Sequence, residues 1–389
     1  MNYQSIIDKI DEDLILRLTK DLVALDSQNP PGRTDHITKY LEEESKSLGF
    51  QSQIYKLDDK RQNIVITFGK SERDIVLSGH LDTVPFGDKS QWKYPPLEVT
   101  EKDGKLFGRG TVDMKGGVAS LIAVMDAISR SDVNLSHRIV FAGTADEEVG
   151  MNGAFQLKEK GVMDNADCLI ITEATDLKVG IAEKGPYWIR MNVKGKAAHG
   201  SMPEAGINAI DGACIGINKL KKILPDTKHD ILGKSTLNVS MIKGGVTINV
   251  VPDECYVDCD FRLIPEDKHD ELNGQIKTLL LKLSKENSCV FSHKVFHSLP
   301  ALSTNPNESI IKGLLKHSNL VTNTTSDPIG LTYGTDAAAL VPPDNIPFAI
   351  IGGGCPSVLH QANEYVYLSD LVKASKIILG GILDTYVKK

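Results

Sequence analysis

The sequence has few cysteines and no apolar run long enough to cross a membrane. Its six cysteines in 389 residues are irregularly spaced, so a disulfide scaffold is not expected, and reduced thiols are typical of a cytoplasmic protein. A membrane helix needs roughly 18 apolar residues in succession. Residues 1–13 are polar and acidic and do not resemble a signal peptide. We therefore expect a cytoplasmic protein without a membrane partner.

The sequence also lacks an excess of basic residues. Lys and Arg total 44 against 51 Asp and Glu, which gives a net charge of −7 at pH 7. A general nucleic-acid-binding protein needs a basic surface, so no nucleic-acid partner is expected. The remaining composition is 41% hydrophobic and 24% charged, which is ordinary for a globular protein. A chain of this length can form two domains with a large core.

Apolar strands alternate with helices in the first half of the chain and again near its end. Leucines at helical spacing predict an opening helix over 13–25, and a closing helix is predicted over 369–386. Strands are predicted at 63–68, 74–78, 138–144, 168–172 and 346–351. This alternation indicates an α/β fold with a central, mostly parallel sheet flanked by helices. We expect residues 1–181 and 295–389 to form this discontinuous domain.

The pattern changes near residue 182. Strands are predicted near 187–193, 236–242, 254–262 and 289–296, with helices near 206–223 and 266–284. The order β-α-β-β-α-β is the signature of a split-βαβ, or ferredoxin-like, α+β fold. Residues 182–294 are therefore predicted to form a domain inserted into the first one.

Five histidine and carboxylate residues are candidate metal ligands because they lie at strand ends or in loops: His80, Asp113, Glu148, Glu173 and His360. In a parallel α/β sheet, residues just beyond the strands gather at one edge, where ligands bind. Imidazole and carboxylate ligands without thiolate suit zinc, cobalt or manganese. Five ligands exceed the needs of one open tetrahedral site and suit two metal ions that share a bridging carboxylate.

His80 and Asp82 follow the apolar run 74–77 and lie two residues apart. In an extended backbone such residues point to the same side. A histidine at the end of a buried strand is a good metal ligand, and a carboxylate just beyond it is placed to accept the proton of the other ring nitrogen. Alone, the His-x-Asp pattern is more typical of a structural histidine at a strand end, and the metal-binding interpretation depends on the other four candidates.

Asp113 lies in the glycine-dense segment Gly108–Gly117, where backbone can approach a metal closely. The alternative interpretations of this segment are a tight turn or a phosphate cradle. A dinucleotide-binding G-x-G-x-x-G fingerprint is excluded, because Asp113 stands where the third glycine is required. Asp113 is the natural candidate for the bridging carboxylate.

Glu147 and Glu148 follow the predicted strand 138–144 and precede Gly150. Adjacent glutamates usually mark a solvated surface, but here the preceding strand places them at the sheet edge. Neighbouring positions suit a division of labour, in which Glu148 binds a metal ion and Glu147 takes the proton of a water molecule held there.

These motifs make the chain resemble the M20 metallopeptidase family, which includes succinyl-diaminopimelate desuccinylase, acetylornithine deacetylase, aminoacylase and glutamate carboxypeptidase. The matching segments occur in family order and cover the whole chain, including the inserted domain: Ser78–Pro85, Gly108–Gly117, Thr144–Gly150, Ile171–Thr175 and Gly352–Glu364. The resemblance implies a phosphorylase/hydrolase-like catalytic domain.

The resemblance also implies the ligand assignment. His80 and Glu173 would bind one divalent metal ion, and Glu148 and His360 would bind the other. Asp113 would bridge the two. The ions are expected to be Zn²⁺, with Co²⁺ or Mn²⁺ as alternatives.

Two further roles follow from the resemblance. Asp82 would orient His80, and Glu147 would be the general base that activates a metal-bridging water for attack on an amide. The peptide bond after Asp113 is often cis in the family, so the same is expected at Asp113–Met114.

The inserted domain is expected to supply substrate contacts. The resemblance makes His199 an oxyanion donor that reaches a neighbouring subunit's site, and Asn249 a substrate-contacting residue. Arg262 ends the strand 254–262 and could bind a substrate carboxylate with two hydrogen bonds. The alternatives without a substrate contact are an exposed loop histidine for His199 and an ion pair with Asp258 and Asp260 for Arg262.

Backbone amides of four residues would line the same substrate pocket: Gly334, Thr335, Gly353 and Gly354. The family resemblance further implies a homodimer formed through the inserted domain, which would act as a dimerisation or lid domain. The partners expected are therefore a small N-acyl amino acid or peptide substrate and a second copy of the chain.

Several other features have plainer explanations. Cys255 and Cys259 resemble a metal-binding pair, but their spacing in a strand places both on the apolar face. Gly233–Thr236 resembles the end of a P-loop, yet residue 228 is lysine where the first glycine is needed. Cys355 lies near His360, but no group that would orient a thiol nucleophile is evident.

The sequence therefore predicts a dimetal amidohydrolase that removes an N-acyl group, succinyl or acetyl, from an amino acid such as diaminopimelate or ornithine. One alternative is a di- or tripeptide exopeptidase or a carboxypeptidase of the same family. Aminopeptidases of the family tend to carry Asp at the position of Glu173, so this glutamate favours a deacylase or a carboxypeptidase-like enzyme. A second alternative is a non-catalytic relative that only binds amides. It would be expected to lack a ligand or the base, and this sequence has both.

Overall fold

Residues 3–388, which the computed structural model describes, form ten α-helices and sixteen β-strands. The helices are α1 (Gln4–Ile7), α2 (Glu12–Ala24), α3 (Asp35–Ser47), α4 (Lys115–Ser129), α5 (Asn152–Glu159), α6 (Ala209–Leu220), α7 (His269–Glu286), α8 (Ser309–Thr322), α9 (Ala337–Leu340) and α10 (Leu368–Tyr386). In this part of the chain no helix combines the length and the apolar character that crossing a membrane requires.

The strands are β1 (Gln51–Lys56), β2 (Gln62–Phe68), β3 (Asp74–His80), β4 (Thr100–Lys102), β5 (Lys105–Phe107), β6 (Arg138–Thr144), β7 (Ala166–Ile171), β8 (Gly180–Glu183), β9 (Gly185–Lys194), β10 (Thr236–Gly244), β11 (Glu254–Leu263), β12 (Val290–Ser298), β13 (Leu302–Ser303), β14 (Ile329–Leu331), β15 (Phe348–Ile350) and β16 (Tyr365–Tyr367).

The chain divides into two compact units. The first comprises the described residues up to Ile181, Thr304–Ile329 and the residues from Thr335 onward. The second comprises Ala182–Ser303 and Gly330–Gly334. The second unit thus begins where the sequence predicts the insertion to begin, but it continues to Ser303, whereas the predicted end was 294.

A mixed sheet forms the centre of the first unit, with the strand order β1-β2-β6-β3-β7-β15. The four strands β6, β3, β7 and β15 run parallel, while β2 is antiparallel to both β1 and β6. All seven residues of β3 are buried, which is typical of a parallel strand covered on both faces. The predicted α/β fold class is confirmed, and parallel pairing joins the four strands β6, β3, β7 and β15.

Helix α4 packs very closely on this sheet. Its residues from Lys115 to Ile128 are all buried, and it also contacts α2 and α10. A Cβ atom at Gly117 would lie 2.5 Å from the hydroxyl of Thr172 and 2.7 Å from its carbonyl oxygen. Glycine at this position therefore lets the start of α4 approach the residue that follows β7.

A small antiparallel sheet, β16-β5-β4, lies in the same unit. Tyr365 of β16 pairs with Phe107 of β5. Because Phe107 is followed directly by Gly108 and Tyr365 is preceded directly by Glu364, this pairing brings the glycine-dense segment beside the segment that follows His360.

The second unit contains the four-stranded antiparallel sheet β10-β11-β9-β12. This is the strand order of the predicted split-βαβ fold. Side chains from β9 and β11 form a core with α6 and α7, and Cys255 and Cys259 are buried within it. The prediction that these two cysteines pack in the core is confirmed.

Candidate metal centre

Three of the predicted ligands follow parallel strands whose ends are level in the sheet. His80 ends β3 and is paired in register with Thr144, the last residue of β6. Ser78 of β3 is paired with Ile171, the last residue of β7, so Glu173 follows at the same edge. Aligned strand ends thus gather the side chains of His80, Glu148 and Glu173, as expected for a parallel sheet.

His80 is buried at this edge, with 1% of its side chain exposed. Its Nδ1 donates to the backbone carbonyl of Asp82 at 2.9 Å. Its Nε2 lies 2.9 Å from Oδ1 of Asp113 and 3.6 Å from Oε1 of Glu173. The backbone bond to Nδ1 thus directs Nε2 toward two carboxylates, which is the orientation a metal-binding imidazole needs.

His360 approaches the same aspartate from another side. Its Nε2 lies 3.0 Å from Oδ2 of Asp113 and 3.2 Å from Oε2 of Glu148. His360 has φ +61°, in the left-handed region, and 55% of its side chain is exposed. The two oxygens of Asp113 therefore face two different histidines, each of which also neighbours one glutamate.

Asp113 occupies the segment that leads into α4, and the Asp113–Met114 peptide bond is cis, as the family resemblance implied. Ligand atoms of His80, Asp113 and Glu148 lie within 4.8 Å of one another. Such a group can hold a cation with nitrogen and oxygen ligands.

Buried carboxylates dominate the electrostatics of the cluster. Burial, reinforced by the charge of Asp113, raises the pKa of Glu173 to about 8. Burial likewise raises the pKa of Glu148, again with Asp113 adding to the rise. Hydrogen bonds that His360 donates to Asp113 and Glu148 raise its pKa to about 10. Ionisation of these glutamates is therefore unfavourable in the protein alone, and a divalent cation bound in the cluster would favour it.

Glu147 lies beside this cluster without making one of its short contacts. Burial raises the pKa of its carboxyl group well above the ordinary value, against a lowering effect of His80, and the negative charges of Glu148 and Glu173 add to the rise. A carboxylate with a raised pKa is a stronger proton acceptor, which is the property required of a general base.

Asp82 was expected to orient His80 through its carboxylate, but it contacts His80 through its backbone carbonyl. The ring nitrogen of His80 bonds to the backbone carbonyl of Asp82, while the carboxylate oxygen Oδ1 lies 3.9 Å away. The carboxylate instead accepts the backbone N–H groups of Glu147 and Glu148, at 3.1 and 3.3 Å, and the side-chain amide of Asn29 at 2.8 Å. Because these donors occupy it, the carboxylate fixes the loop that carries the two glutamates.

Three residues of this centre were missed in the sequence. Asn29 donates its side-chain amide to Asp82 at 2.8 Å and to Asp146 at 3.0 Å. Glu364 accepts backbone N–H bonds from the segment that carries Asp113, and its one sequence signal is its place four residues after His360. Asp336 is buried and accepts the hydroxyl of Thr144; burial raises its pKa to about 6.

His199 and Asn249 are brought together within the second unit. His199 forms an isolated β-bridge with Val250, and the backbone N–H of Gly200 donates to the carbonyl of Asn249 at 2.7 Å. Nδ1 of His199 accepts the backbone N–H of Ser201 at 3.2 Å. The neutral ring therefore carries its proton on Nε2, which can donate a hydrogen bond.

Arg262 forms an ion pair with Asp260, at 2.9 Å. An ion pair was the structural alternative to substrate binding for this residue. Asp258 pairs with Arg190 instead, through two hydrogen bonds of 2.6 and 2.7 Å. The guanidinium of Arg262 also lies 5.8 Å from the ring of Trp188. A role of Arg262 in substrate binding remains a prediction.

Gly353 and Gly354 are buried, and both pack tightly within the first unit. A Cβ atom at Gly353 would lie 2.8 Å from the backbone of Asp370, and one at Gly354 would lie 2.4 Å from Val112. Thr335 is also buried, and Gly334 is half-buried in the second unit. Close packing accounts for the two glycines, and a substrate contact for any of the four residues remains a prediction.

Comparison with known proteins gives matches along nearly the whole chain. The profile of peptidase family M20/M25/M40 matches residues 76–384. A probable succinyl-diaminopimelate desuccinylase of Staphylococcus aureus (strain N315) is 31% identical over 384 residues, covering 90% of this chain and 92% of the relative. An acetylornithine deacetylase of Pasteurella multocida (strain Pm70) is 30% identical over 330 residues, covering 82% and 83%.

Solved structures with the same fold include a tripeptidase from Staphylococcus aureus subsp. aureus Mu50, with a TM-score of 0.79 and 24% identity over 96% of this chain and 98% of that one. A dinuclear metal-binding M20 peptidase from Bacillus subtilis has a TM-score of 0.74 and 14% identity, covering 96% and 97%.

Proposed function

Since the chain belongs to peptidase family M20/M25/M40, we propose that it is a metal-dependent amidohydrolase that removes an N-succinyl or N-acetyl group from an amino acid such as diaminopimelate or ornithine. The observation that carries the proposal is the placement of Asp113, whose two oxygens face His80 and His360 at 2.9 and 3.0 Å. A carboxylate shared in this way is what a two-metal site requires.

The donor set fits two divalent ions. His80 and Glu173 would hold one ion, Glu148 and His360 the other, and Asp113 would bridge them. All five donors are imidazole nitrogens or carboxylate oxygens, which suits Zn²⁺ and also Co²⁺ or Mn²⁺. Burial and the negative charge of Asp113 raise the pKa values of Glu148 and Glu173, and a divalent cation would stabilise their ionised forms.

The bound ions would polarise the amide carbonyl and favour ionisation of the attacking water. Glu147 accepts the proton of that water as it attacks the carbonyl carbon, and returns the proton to the nitrogen as the C–N bond breaks. The products are a carboxylic acid and a free amine. Asp82 supports the base by holding the backbone of Glu147 and Glu148.

The second unit is proposed to contact the substrate. Nε2 of His199 carries a proton that could stabilise negative charge on the substrate carbonyl oxygen. Asn249, whose backbone bonds to that of Gly200, would contribute its side-chain amide beside it. Arg262 is proposed to bind the substrate carboxylate, because a guanidinium presents two parallel donors to a carboxylate. Gly334 of the second unit is proposed to contact the substrate through its backbone, and the same role is proposed for Thr335, Gly353 and Gly354 of the first unit.

The names of the relatives support an N-acyl amino acid as the substrate class, since one is a probable desuccinylase and the other a deacetylase. An exopeptidase is the second candidate, because structures of the same fold include a tripeptidase. Both reactions hydrolyse a linear amide, so the proposed roles of Glu147 and the five ligands are the same in each.

We further propose that the protein is a homodimer joined through the second unit. Its edge strand β10 and the turn that follows carry exposed apolar side chains: Met241, Ile242, Val246 and Ile248, at 54%, 52%, 88% and 103% exposure. An exposed apolar edge strand is a ready site for pairing with another chain. A second copy of this chain is the occupant proposed.

The proposed activity is tested by assaying purified protein with added Zn²⁺ or Co²⁺ against N-succinyl-diaminopimelate, N-acetylornithine, other N-acyl amino acids and di- and tripeptides. Elemental analysis of the same sample measures the metal content. We expect about two divalent ions per chain and the highest kcat/KM with an N-acyl amino acid.

Preference for a peptide with a free amino terminus would replace the deacylase by the exopeptidase. Protein that holds no divalent ion, recruits none on addition and cleaves none of these amides would contradict the whole proposal.

A further inference from the structure

We infer that the ion pair between Glu364 and Arg109 is a positioning device, which fixes the segments carrying Asp113 and His360 relative to each other and thereby sets the affinity of the centre for divalent ions. The inference rests on the proposed metal centre. It concerns two residues that contact no substrate, and it assigns them an effect on metal binding beyond their effect on folding.

Glu364 holds the segment that carries Asp113 by its backbone. Its side chain is fully buried, and Oε1 accepts three backbone N–H groups, from Gly110 at 2.9 Å, Val112 at 3.0 Å and Asp113 at 3.2 Å. One of these donors is the proposed bridging residue itself. The position of the Asp113 backbone is therefore set by a carboxylate four residues after His360.

Arg109 extends the same arrangement to two other segments. Its guanidinium is buried and bonds to Oε2 of Glu364. It also donates to the backbone carbonyl of Gln361, next to His360, and to that of Pro85, each at 3.3 Å. The ion pair thus joins the segments that follow β3, precede α4 and follow His360, all of which contribute residues to the centre.

Backbone pairing also positions Glu364 beside the glycine-dense segment. Pairing of Tyr365 with Phe107 in the small sheet sets Glu364 opposite Gly108, and the N–H of Gly108 donates to the carbonyl of Glu364 at 3.1 Å. Both the main chain and the side chain of Glu364 therefore bind the glycine-dense segment.

A change at Glu364 should alter metal affinity because groups that orient metal ligands typically contribute 10- to 100-fold to it. In Glu364→Gln the side-chain carbonyl oxygen could still accept the backbone N–H groups. The new NH₂ group, however, would face the N–H groups of Arg109, and two donors cannot form a hydrogen bond with each other. The guanidinium would lose its charged partner and keep only the two backbone carbonyls, so the segments would be held less firmly in one arrangement.

The experiment measures the dissociation constant for Co²⁺ by competition with a chromophoric chelator, together with the visible absorption spectrum of the Co²⁺-loaded protein. Asp74→Asn is the matched control, because Asp74 is also a buried carboxylate paired with an arginine, Arg138, through two bonds of 2.8 Å. Asp74 begins β3, whereas His80 ends it, so this pair is remote from the ligands in the same strand.

We expect Glu364→Gln to weaken Co²⁺ binding 10- to 100-fold and to change the Co²⁺ spectrum, while Asp74→Asn lowers only the midpoint of thermal unfolding. Wild-type affinity in Glu364→Gln, or an equal loss in both variants, would overturn the inference and leave the proposed function intact. If the wild type bound no divalent ion, the proposed function would fail and the inference with it.

A second variant keeps the inference testable if Glu364→Gln does not fold. Arg109→Lys retains the positive charge beside Glu364 but cannot make all the bonds of the guanidinium. We expect weaker Co²⁺ binding than in the wild type, with unchanged affinity overturning the inference.

Discussion

Asp113 is the residue on which the centre depends most, because each of its carboxylate oxygens faces a different histidine. Hydrogen bonds from these histidines outweigh the effect of burial, so the pKa of Asp113 is lowered. Glu148 and Glu173 differ from it, because burial beside Asp113 raises their pKa values. Ionisation is thus favoured at Asp113 and disfavoured at the two neighbouring glutamates.

At the residue scale the sharpest prediction concerns Glu147. Glu147→Gln removes the proton acceptor but keeps the shape of the side chain and the backbone bond to Asp82. We expect kcat to fall about 10²- to 10⁴-fold, the usual range for loss of a general base, with metal content unchanged. Steady-state kinetics and elemental analysis check this result.

The matched control for that variant is Glu159→Gln, since Glu159 is an exposed residue at the end of α5. Its kinetics should equal those of the wild type. If Glu147→Gln retained wild-type kcat, another group would have to be the base.

The candidate ligands were predictable one by one, because each follows an apolar strand or lies in a glycine-dense segment. Their supporting contacts were not. Asn29, Asp82 and Glu364 act through hydrogen bonds to segments far away in the chain, and neither local spacing nor residue type records such a partner.

At the scale of elements, the close packing of α4 on the sheet predicts that an added side-chain atom at their contact lowers stability. Gly117→Ala would place a Cβ atom 2.5 Å from the hydroxyl of Thr172. We expect it to lower the free energy of unfolding by about 1–3 kcal/mol, as overpacked cores do. Urea denaturation monitored by circular dichroism measures the change.

Gly274, in α7, is the matched control because its added Cβ atom would meet nothing within 4 Å. Replacing glycine by alanine in an open helical position removes an entropic cost of about 1 kcal/mol. Gly274→Ala should therefore raise the stability of the second unit. Destabilisation by both variants would contradict this explanation.

Strand β12 gives a prediction about pH. Burial lowers the pKa of His293, with a smaller effect of Lys277 in the same direction, and its Nε2 lies 2.7 Å from Oδ1 of Asn273. Since the folded pKa lies below the unfolded value of about 6.5, the unfolded chain binds more protons in acid. The stability that His293 contributes is fully present above that value and is lost as the pH falls.

The measurement is the difference in unfolding free energy between the wild type and His293→Gln. This difference should become more favourable to the wild type as the pH rises from roughly 5 to 8. A difference that stays constant over this range, or that shrinks as the pH rises, would contradict a lowered pKa for His293.

Elements were predictable from the sequence where they are long and apolar. Strands β3, β6 and β7 and helices α2 and α10 lie close to their predicted positions. Strand β1 was missed because its sequence, Gln51–Lys56, is mostly polar and pairs on one side only. The three-residue strands β5 and β16 were missed because so short a segment carries no periodicity.

At the scale of the whole molecule, the second unit comprises Ala182–Ser303 and Gly330–Gly334, whereas the sequence predicts an inserted domain over 182–294. The predicted strand near 289–296 already passes residue 294, and in the structure β12 continues to Ser298. The next residues belong to the second unit through the pairing of the two-residue strand β13, which is too short to carry a sequence pattern. There, Leu302 of β13 pairs with Glu183 and Ser303 with Ala182.

The proposed homodimer gives a prediction at this scale. Ile242→Lys would place a charge on the exposed apolar edge strand β10, and we expect it to shift the protein from dimer to monomer in sedimentation velocity. Phe296→Lys is the matched control, because Phe296 is equally exposed, at 52%, on β12 at the opposite edge of the sheet. Dissociation by the Phe296 variant alone would move the interface to the other edge.

Unequal exposure of the two histidines has a kinetic consequence. Solvent reaches 55% of the His360 side chain but only 1% of that of His80. In the proposed two-metal site, an ion held by His360 should therefore exchange faster with the medium than one held by His80. Brief dialysis against a second metal should then give protein that carries two different elements, one at each end of a single aspartate.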